Sequence, residues 1–245
     1  MTATTGEVPR VADEILRRIV SGAYPAGLRL PAETELAAEF EVSRATLREA
    51  LRHLASLGVV VTRRGSGAYV RDFRREGTLA LLPAYAAFGR FDRPLGTMVR
   101  ELLRIRRLLA VEAVRLAALY ATSETIAKVR RFIPILGDCR DALKLANAEL
   151  EMFRELTHAS EIWPAAWLAN AFWGPMRELH ERLAPLVGIV PENYGATLER
   201  VFELVEKHDA EGAMAVLGAH FDEIDKALAT KLDELLPKAW DRGGV

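Results

Sequence analysis

The first part of the chain shows three short helical patterns followed by two β-rich runs. Apolar side chains spaced by four predict a first helix over residues 8–20: Val11, Ile15 and Ile19. Two shorter amphipathic helices are predicted over 33–40 and 44–57, with Ser43 as the N-cap of the second. Two helices joined by so brief a turn indicate a helix-turn-helix motif. The β-rich runs enclose a glycine-containing loop, 63–67, which predicts a hairpin, or wing, directly after the second helix of the motif.

Beyond residue 75 the pattern changes to a leucine- and alanine-rich helical periodicity without further strand signals. Helices are predicted over seven stretches: 79–90, 95–121, 123–136, 139–160, 164–185, 194–207 and 209–236. Proline residues separate most of them, and Pro175 and Pro185 are expected to kink or end the fifth. The predicted fold class is mainly α, with an N-terminal winged helix-turn-helix domain at 1–75 and an all-helical bundle domain at 76–245. The charged segment 71–78 is predicted to be the linker.

The composition of the 245-residue chain is that of an ordinary soluble protein. Half of the residues are hydrophobic, which excludes a chain that is disordered throughout and leaves room for two domains. No apolar run reaches the roughly 18 residues that a membrane span requires, and the N-terminus lacks the pattern of a signal peptide. The lone cysteine, Cys139, cannot form an intrachain disulfide, which is typical of a reducing cytosol. We therefore expect a cytoplasmic protein with no membrane partner.

The net charge of −1 conceals an uneven distribution of charge along the chain. Residues 1–75 contain twelve arginines, no lysine and nine acidic residues, whereas the rest of the chain is acidic. Between residues 44 and 75 there are eight arginines against only Glu49 and Asp72. A basic segment concentrated on an acidic body is typical of a protein that binds nucleic acid.

Arginines at the predicted start of the second motif helix carry the candidate chemistry of the first domain. Arg44 and Arg48 are four residues apart and share a helix face, where a guanidinium can bond to guanine or to phosphate. The hydroxyl side chains beside them suit phosphate oxygens. In the wing, Gly65 adds no Cβ bulk beside Arg64, so the tip can approach a groove closely. The predicted DNA-binding residues are Ser43, Arg44, Thr46, Arg48, Arg64 and Gly65.

Three motifs of this domain closely resemble the GntR family of bacterial winged-helix repressors and activators. They are Leu30-Pro-Ala-Glu-Thr-Glu-Leu-Ala, Val42-Ser-Arg-Ala-Thr-Leu-Arg-Glu-Ala-Leu-Arg-His-Leu, and Gly58 with the later Arg64-Gly65-Ser66-Gly67. The resemblance covers about residues 8–71. It implies binding to operator DNA, and by similarity the six residues named above fall on DNA-contacting positions.

The second domain resembles the all-helical FadR-type effector and dimerisation domain over about residues 79–235. The resemblance rests on three motifs, which begin at Leu102-Leu-Arg-Ile-Arg106, Glu149-Leu-Glu-Met-Phe-Arg-Glu-Leu-Thr-His-Ala-Ser160 and Asp209. Many relatives hold a metal through an acid, a His four residues later and two further His residues. The matching positions here are Glu149, Phe153, Leu198 and His220. Because Phe and Leu cannot ligate a metal, the resemblance implies the metal-free branch of these domains, with no cofactor.

Polar residues of the helical domain predict a ligand pocket. Arg106 lies among apolar residues in mid-helix, where a guanidinium needs an anion, either a ligand or Glu112 or another carboxylate. Asn170 is flanked by apolar residues and is expected to be buried, and His220 is a candidate hydrogen-bond partner facing the cavity. We predict a pocket bounded by the helices that carry Arg106, Asn170 and His220, with an occupant that is anionic at Arg106. Four aromatic residues are expected to form part of its wall: Trp163, Trp167, Phe172 and Trp173.

These features predict a ligand-responsive transcription regulator of the GntR and FadR type rather than an enzyme. One winged helix reads only a few base pairs, so we expect a homodimer on a palindromic double-stranded DNA operator. The expected effector is a fatty acyl-CoA or another carboxylate metabolite. The alternative is a metal-dependent or hydrolytic all-α enzyme fused to a DNA-targeting module, although the sequence has no nucleophile elbow and no phosphate-binding glycine loop. A third interpretation is an architectural DNA-binding protein without a ligand, which would have a solid helical domain.

Overall fold

The computed structural model of the chain describes residues 4–88 and 95–235. The chain divides into two compact units, Met1–Phe91 and Asp92–Val245. The elements of the first unit are α1 Thr4–Val20, α2 Glu33–Glu39, α3 Arg44–Ser56, β1 Val60–Arg63, β2 Gly67–Val70, α4 Phe73–Glu76, a 3-10 turn Leu79–Leu81 and α5 Leu82–Phe88. Those of the second unit are α6 Leu95–Tyr120, α7 Ser123–Arg130, α8 Phe132–Asp138, α9 Ala142–Ala159, α10 Trp163–Val187, α11 Tyr194–Glu206 and α12 Ala210–Leu235. The predicted fold class, a winged helix-turn-helix followed by an all-helical part, is confirmed.

The apolar faces of α1 and α3 form the core of the first unit. Leu47 and Leu54 of α3 are fully buried in the same cluster as Val11 and Ile15 of α1. Burying each such side chain contributes about 1.5–3 kcal/mol relative to leaving it in water. This burial fixes the rotation of α3, so that its opposite face lies in solvent.

The wing is a two-stranded antiparallel hairpin that is joined at one edge by a preceding segment. β1 pairs with β2 in a register that sets Val60 opposite Val70. The backbone N–H of Leu30 donates to the carbonyl oxygen of Ala68 at 2.9 Å, and the N–H of Val70 donates to that of Leu28 at 2.9 Å. The segment 27–30 therefore covers the free edge of β2 and anchors the base of the hairpin.

The predicted linker, 71–78, is instead part of the first unit. Phe73 of α4 packs against the first core, and its ring centroid lies 5.4 Å from that of Tyr85 in α5. Leu81 is buried in the same core. A Cβ on Gly58 would lie 2.1 Å from the carbonyl oxygen of Glu76, so α4 crosses directly over the end of α3. The first unit consequently extends beyond residue 75, because these apolar side chains have their burial partners there.

The second unit is a helical bundle in which α9 is central. α6 packs against α9 and α12, α9 packs against α10, and α11 packs against α12. Five fully buried side chains mark the centre of this core: Met152, Leu156, Leu198, Phe202 and Phe221. Within the described ranges no helix is both long and apolar enough to cross a membrane.

Two of the predicted helices differ from the structure at proline residues. The stretch 123–136 is divided into α7 and α8 at Arg131, and Pro134 lies in the first turn of α8. Proline is tolerated there because the first N–H groups of a helix have no intrahelical acceptor. Pro175 and Pro185 lie inside α10, which continues to Val187. Neither proline ends that helix.

Candidate functional site

The start of α3 is held in place by a hydroxyl cap. The Ser43 hydroxyl accepts a hydrogen bond from the backbone N–H of Thr46 at 3.1 Å, and the two side-chain oxygens lie 2.9 Å apart. Thr46 is only 4% exposed, whereas Ser43 is exposed. Thr46 therefore differs from the prediction of a direct phosphate contact, because its side chain is packed inside and bonded to the cap. Its structural role is to position Ser43 and the first turn of α3.

Arg44 and Arg48 lie on the exposed face of α3 but differ in their partners. The Arg48 Nε donates to a carboxylate oxygen of Glu33 in α2 at 2.7 Å, and the side chains of Arg48 and Glu33 are 60% and 35% exposed. Arg44 has no carboxylate at ion-pair distance among the described residues. A polyanion can therefore bind Arg44 directly, but it must displace Glu33 from Arg48. Such an exposed pair is worth only about 0–1 kcal/mol, so the exchange costs little.

The wing tip presents Arg64 and Gly65 to solvent. Gly65 has a φ of +74°, a left-handed conformation that favours glycine in this turn. Beside the tip, the Arg63 guanidinium lies 5.0 Å from the ring centroid of Tyr69, whose hydroxyl bonds to that of Ser66 at 2.7 Å. These contacts fix the wing side chains next to the tip without neutralising the arginines.

The structure adds Arg29 to this basic surface, a residue that sequence reasoning missed. Arg29 pairs with Tyr69 in an isolated β-bridge beside β2. A Cβ on Gly67 would lie 3.3 Å from the Arg29 Nε, so the guanidinium lies directly against the wing. The sequence around Leu30-Pro31 indicates only a turn. The signal that was available, an arginine two residues before a proline, does not reveal the pairing with a strand about forty residues later.

The second unit contains two apolar cavities that meet at Arg106. One lies between α6, α9 and α10 with a volume of about 90 Å³, and the other between α6, α9, α10 and α12 with a volume of about 100 Å³. Four residues line both cavities: Arg106, Glu149, Met176 and His180. The remaining walls are mainly aliphatic and aromatic, including Phe172 and Trp173 in the first cavity and Ile224 and Leu228 in the second.

The Arg106 guanidinium is held by two carboxylates. It donates to Glu149 at 3.3 Å and to Asp225 of α12 at 3.3 Å, and it lies 4.5 Å from the ring centroid of Phe221. The side chain of Arg106 is 15% exposed and that of Glu149 is 5% exposed. Glu112, the partner named from the sequence, bonds instead to Arg115 one turn along the same helix, at 2.6 Å. The buried cation therefore has protein carboxylates for partners, which was one of the expected alternatives, but these carboxylates are Glu149 and Asp225 and not Glu112.

A second contact network continues from Glu149 to His220. The Tyr194 hydroxyl donates to Glu149, and the His220 ring stacks on the Tyr194 ring with a centroid distance of 4.5 Å and an interplanar angle of 5°. His220 is 8% exposed, and its Nε2 has no hydrogen-bond partner among the described residues. Burial lowers the pKa of His220, and burial together with the Arg106 charge lowers the pKa of His180 to about 4. His180 is therefore neutral at pH 7.

Two of the three predicted ligand residues lie outside the cavity walls. Asn170 is exposed rather than buried. The cavity-lining positions of α10 include Leu168, Ala169 and Phe172, and Asn170 lies about 100° further around the helix than Ala169. His220 is buried, but it contacts Tyr194 rather than either cavity. Trp163 and Trp167 are 70% and 65% exposed, so only Phe172 and Trp173 of the predicted aromatic wall line a cavity.

Known proteins resemble this chain in both units. Residues 8–70 match the family described as bacterial regulatory proteins, gntR family, and residues 101–223 match the FCD domain. An uncharacterized HTH-type transcriptional regulator of Mycobacterium tuberculosis is 33% identical over 170 residues, which cover 67% of this chain and 68% of that protein. The chain belongs to the GntR family.

Other similarities of this GntR-family chain extend over most of its length. The Uxu operon transcriptional regulator of Escherichia coli is 28% identical over 244 residues, or 93% of this chain and 89% of that one. The solved structure of Lar, which controls the expression of the Listeria monocytogenes agr system, has a TM-score of 0.56 at 18% identity and covers 91% of this chain and 96% of its own. The GntR-family chain is therefore a DNA-binding transcription regulator whose second unit contains an FCD domain.

The metal that many FadR-type relatives hold does not fit the residues of this chain. Phe153 and Leu198 are buried in the apolar core and offer no donor atom. Glu149 is already bonded to Arg106 and Tyr194. Across residues 4–88 and 95–235 no three His, Cys, Asp or Glu side chains are grouped as a metal would require. A guanidinium, rather than a divalent ion, neutralises Glu149 here.

Proposed function

We propose that this GntR-family regulator binds a palindromic operator as a homodimer and that a small effector in the second unit changes its affinity for DNA. The observation that carries the DNA-binding part is the exposed Arg44 on the capped first turn of α3, which has no carboxylate at ion-pair distance within residues 4–88 and 95–235. The proposed DNA contacts are Ser43, Arg44, Arg48, Arg64 and Gly65, with Thr46 positioning the cap and Arg29 added beside the wing. The direct test is to replace Arg44 by alanine and to measure the affinity for the operator.

The two cavities support an effector role for the second unit. An architectural protein without a ligand would have a solid helical bundle, whereas this bundle has apolar space on both sides of a buried charged group. The relatives are transcription regulators, and we propose no catalytic role for these residues. Of the two proposed effector classes, the apolar walls favour a molecule with an acyl chain over a small polar carboxylate. This preference for an acyl chain is our reason for proposing that the chain belongs to the FadR subfamily.

An effector changes DNA binding only if it binds one arrangement of the dimer more tightly than the other. A dimer fits its operator when the spacing of its two α3 helices matches the spacing of the half-sites. An effector that prefers the arrangement with the wrong spacing weakens DNA binding, and by linkage the operator weakens effector binding by the same factor.

The exposed face of α6 supports a homodimer. Three apolar side chains on this face are 46–64% exposed: Ile105, Leu108 and Leu119. Glu112 and Arg115 lie between them on the same stripe, with steps of three and four residues. A contact between two copies about a two-fold axis must be complementary to itself. If two α6 helices pack antiparallel about a point midway between residues 113 and 114, Leu108 meets Leu119 of the second copy.

The same register sets Glu112 opposite Arg115 of the second copy, so the intrahelical pair can exchange for two intermolecular pairs. Replacing Leu108 by glutamate is expected to weaken dimerisation by about tenfold or more, because the charge would be buried without a partner. Sedimentation equilibrium measures the effect, and Ile135→Glu, at an α8 position that is 54% exposed, is the matched control. A Leu108→Glu protein that dimerises like the parent would contradict this interface.

The donor set at Glu149 leads to an expectation about metals. Purified protein is expected to contain no stoichiometric zinc, nickel or manganese, and a chelator is expected to leave the melting temperature unchanged, because Phe153 and Leu198 replace two imidazole ligands. Elemental analysis and a thermal melt with and without chelator measure both quantities. A chelator-induced loss of stability would show that the chain does hold a metal.

A further inference from the structure

The positive charge of Arg106 is already neutralised by protein carboxylates before any ligand enters the cavities. One guanidinium faces the carboxylates of Glu149 and Asp225, so the cluster carries a net negative charge when both are ionised. Burial raises the pKa of Asp225, but even its protonation would leave the cluster neutral and not cationic. The neighbouring Arg107 is balanced by Asp222 at 3.0 Å.

The two histidines and the tyrosine near the cluster add no positive charge at neutral pH, and Arg154, which lines the first cavity, is already paired with Glu151 and Glu155. His180, which lines both cavities, bonds through its Nδ1 to the Asn147 side-chain oxygen at 3.3 Å and has a pKa of about 4. The pKa of His220 is also lowered by burial. Tyr194 is neutral, since burial and the Glu149 charge raise its pKa. A ligand carboxylate at Arg106 would therefore meet two like charges against one cation, in a site with little water to screen them.

Four buried polar atoms of this unit lack a hydrogen-bond partner among the described residues: the Nε atoms of Arg106, Arg107 and Arg154 and the Nε2 of His220. Of these four residues, Arg106 is the one that lines both cavities. The Arg106 Nε is buried and has no hydrogen-bond partner among the described residues, while the two Nη atoms hold the carboxylates. A buried N–H without an acceptor is unfavourable, and an uncharged oxygen satisfies it without adding charge. The two cavities that Arg106 lines have apolar walls, formed by residues such as Leu109 and Phe172 in one cavity and Leu145 and Ile224 in the other.

We propose that the effector of this FCD domain is an uncharged, mainly apolar molecule with one hydrogen-bond-accepting oxygen, such as an ester or a ketone, held at the Arg106 Nε. Its apolar parts occupy the cavities on either side. This inference rests on the proposed effector role of the second unit and narrows it. It replaces the anionic group that the sequence places at Arg106, because Glu149 and Asp225 supply that charge from within the protein.

Probes of similar chain length, one charged and two uncharged, test the proposal. Octanoate, methyl octanoate and octan-2-one have similar chains, and their dissociation constants for the full chain are measured by titration calorimetry at pH 7.5. We expect the ester and the ketone to bind about tenfold or more tightly than the carboxylate, because only the carboxylate is repelled by the cluster. Equal or tighter binding of octanoate would overturn the proposal, and so would the failure of both uncharged probes to bind.

A variant that changes only the cluster charge sharpens this test. Asp225→Asn removes one carboxylate at constant shape and is expected to raise the affinity for octanoate several-fold, while the affinity for methyl octanoate changes by less than about twofold. Asp222→Asn, on the same helix but 65% exposed and paired with Arg107, is the matched control and is expected to change neither. An equal gain for both probes in Asp225→Asn would contradict the charge argument.

The failure of this inference and that of the proposed regulation are distinguishable. Operator affinity is measured on the parent protein with and without saturating methyl octanoate. If the ester binds but operator affinity is unchanged, the ligand class stands and the proposed coupling to DNA fails. If octanoate binds more tightly than the ester and also changes operator affinity, the regulation stands and the uncharged ligand class is wrong.

Discussion

Replacing Arg44 by alanine is expected to weaken operator binding by about 1–3 kcal/mol, or roughly 5- to 150-fold, if its guanidinium reads a base. The reason is its position: it is exposed on the first turn of α3 and has no carboxylate to compete with DNA among the described residues. Equilibrium titration of a labelled operator measures the loss. The matched control is Arg52→Ala on the same helix, since Arg52 is 70% exposed but already paired with Glu49.

The salt dependence of the same titration separates a base contact from a phosphate contact. Loss of a phosphate contact flattens the slope of log affinity against log salt by about 0.9, whereas loss of a base contact changes affinity for the correct sequence with less effect on that slope. At Arg48 the converse test removes the carboxylate that competes with DNA for the guanidinium. Removing its partner in Glu33→Ala is expected to tighten DNA binding slightly, because the guanidinium no longer has to exchange partners. If Arg44→Ala bound operator like the parent at every salt concentration, α3 would not be the recognition helix.

Local signals in the sequence predict most of the first unit. Ser43 before an apolar repeat predicts the cap and start of α3, and both are observed. Local signals do not predict the end of the unit, because Leu81 is buried and Phe73 is partly buried against the core formed by α1 and α3, and not by their own neighbours in sequence. A charged stretch such as 71–78 resembles a linker until its few apolar residues are seen to pack. Burial against distant elements is not encoded in a short window.

The candidate cavity shows the same division between local and long-range information. Sequence periodicity identifies Arg106 as a cation among apolar residues, and the structure places it at the junction of both cavities. Its partners are 43 and 119 residues away in sequence, so a search along its own helix finds Glu112 instead. The prediction that Asn170 is buried is wrong for a simpler reason. Apolar neighbours in sequence do not bury a helical residue when they lie on other faces of the helix. The positions that face the cavity depend on how α10 is rotated against α9.

The buried position of the Arg106 cluster predicts that this residue is also structural. Replacing Arg106 by methionine is expected to destabilise the second unit by about 3 kcal/mol, because it leaves the Glu149 carboxylate 5% exposed without its cation. Urea unfolding followed by tryptophan fluorescence measures the change in this unit, since all four tryptophans lie after residue 92. Arg107→Met is the matched control: its side chain is 40% exposed and its partner Asp222 is 65% exposed. Loss of that exposed pair is expected to cost less than about 1 kcal/mol.

A second substitution identifies the uncompensated charge as the cause. In the Arg106→Met background, Glu149→Gln removes the charge but keeps an oxygen that accepts the Tyr194 hydroxyl, so it is expected to recover most of the lost stability. If Arg106→Met were as stable as the parent, the cluster would not depend on this cation. The guanidinium would then be available to an anionic ligand. This result would favour the carboxylate effector expected from the sequence over an uncharged effector. The stability of this single variant therefore bears on the ligand chemistry as well as on the fold, because one side chain supplies both the buried cation and the free Nε donor.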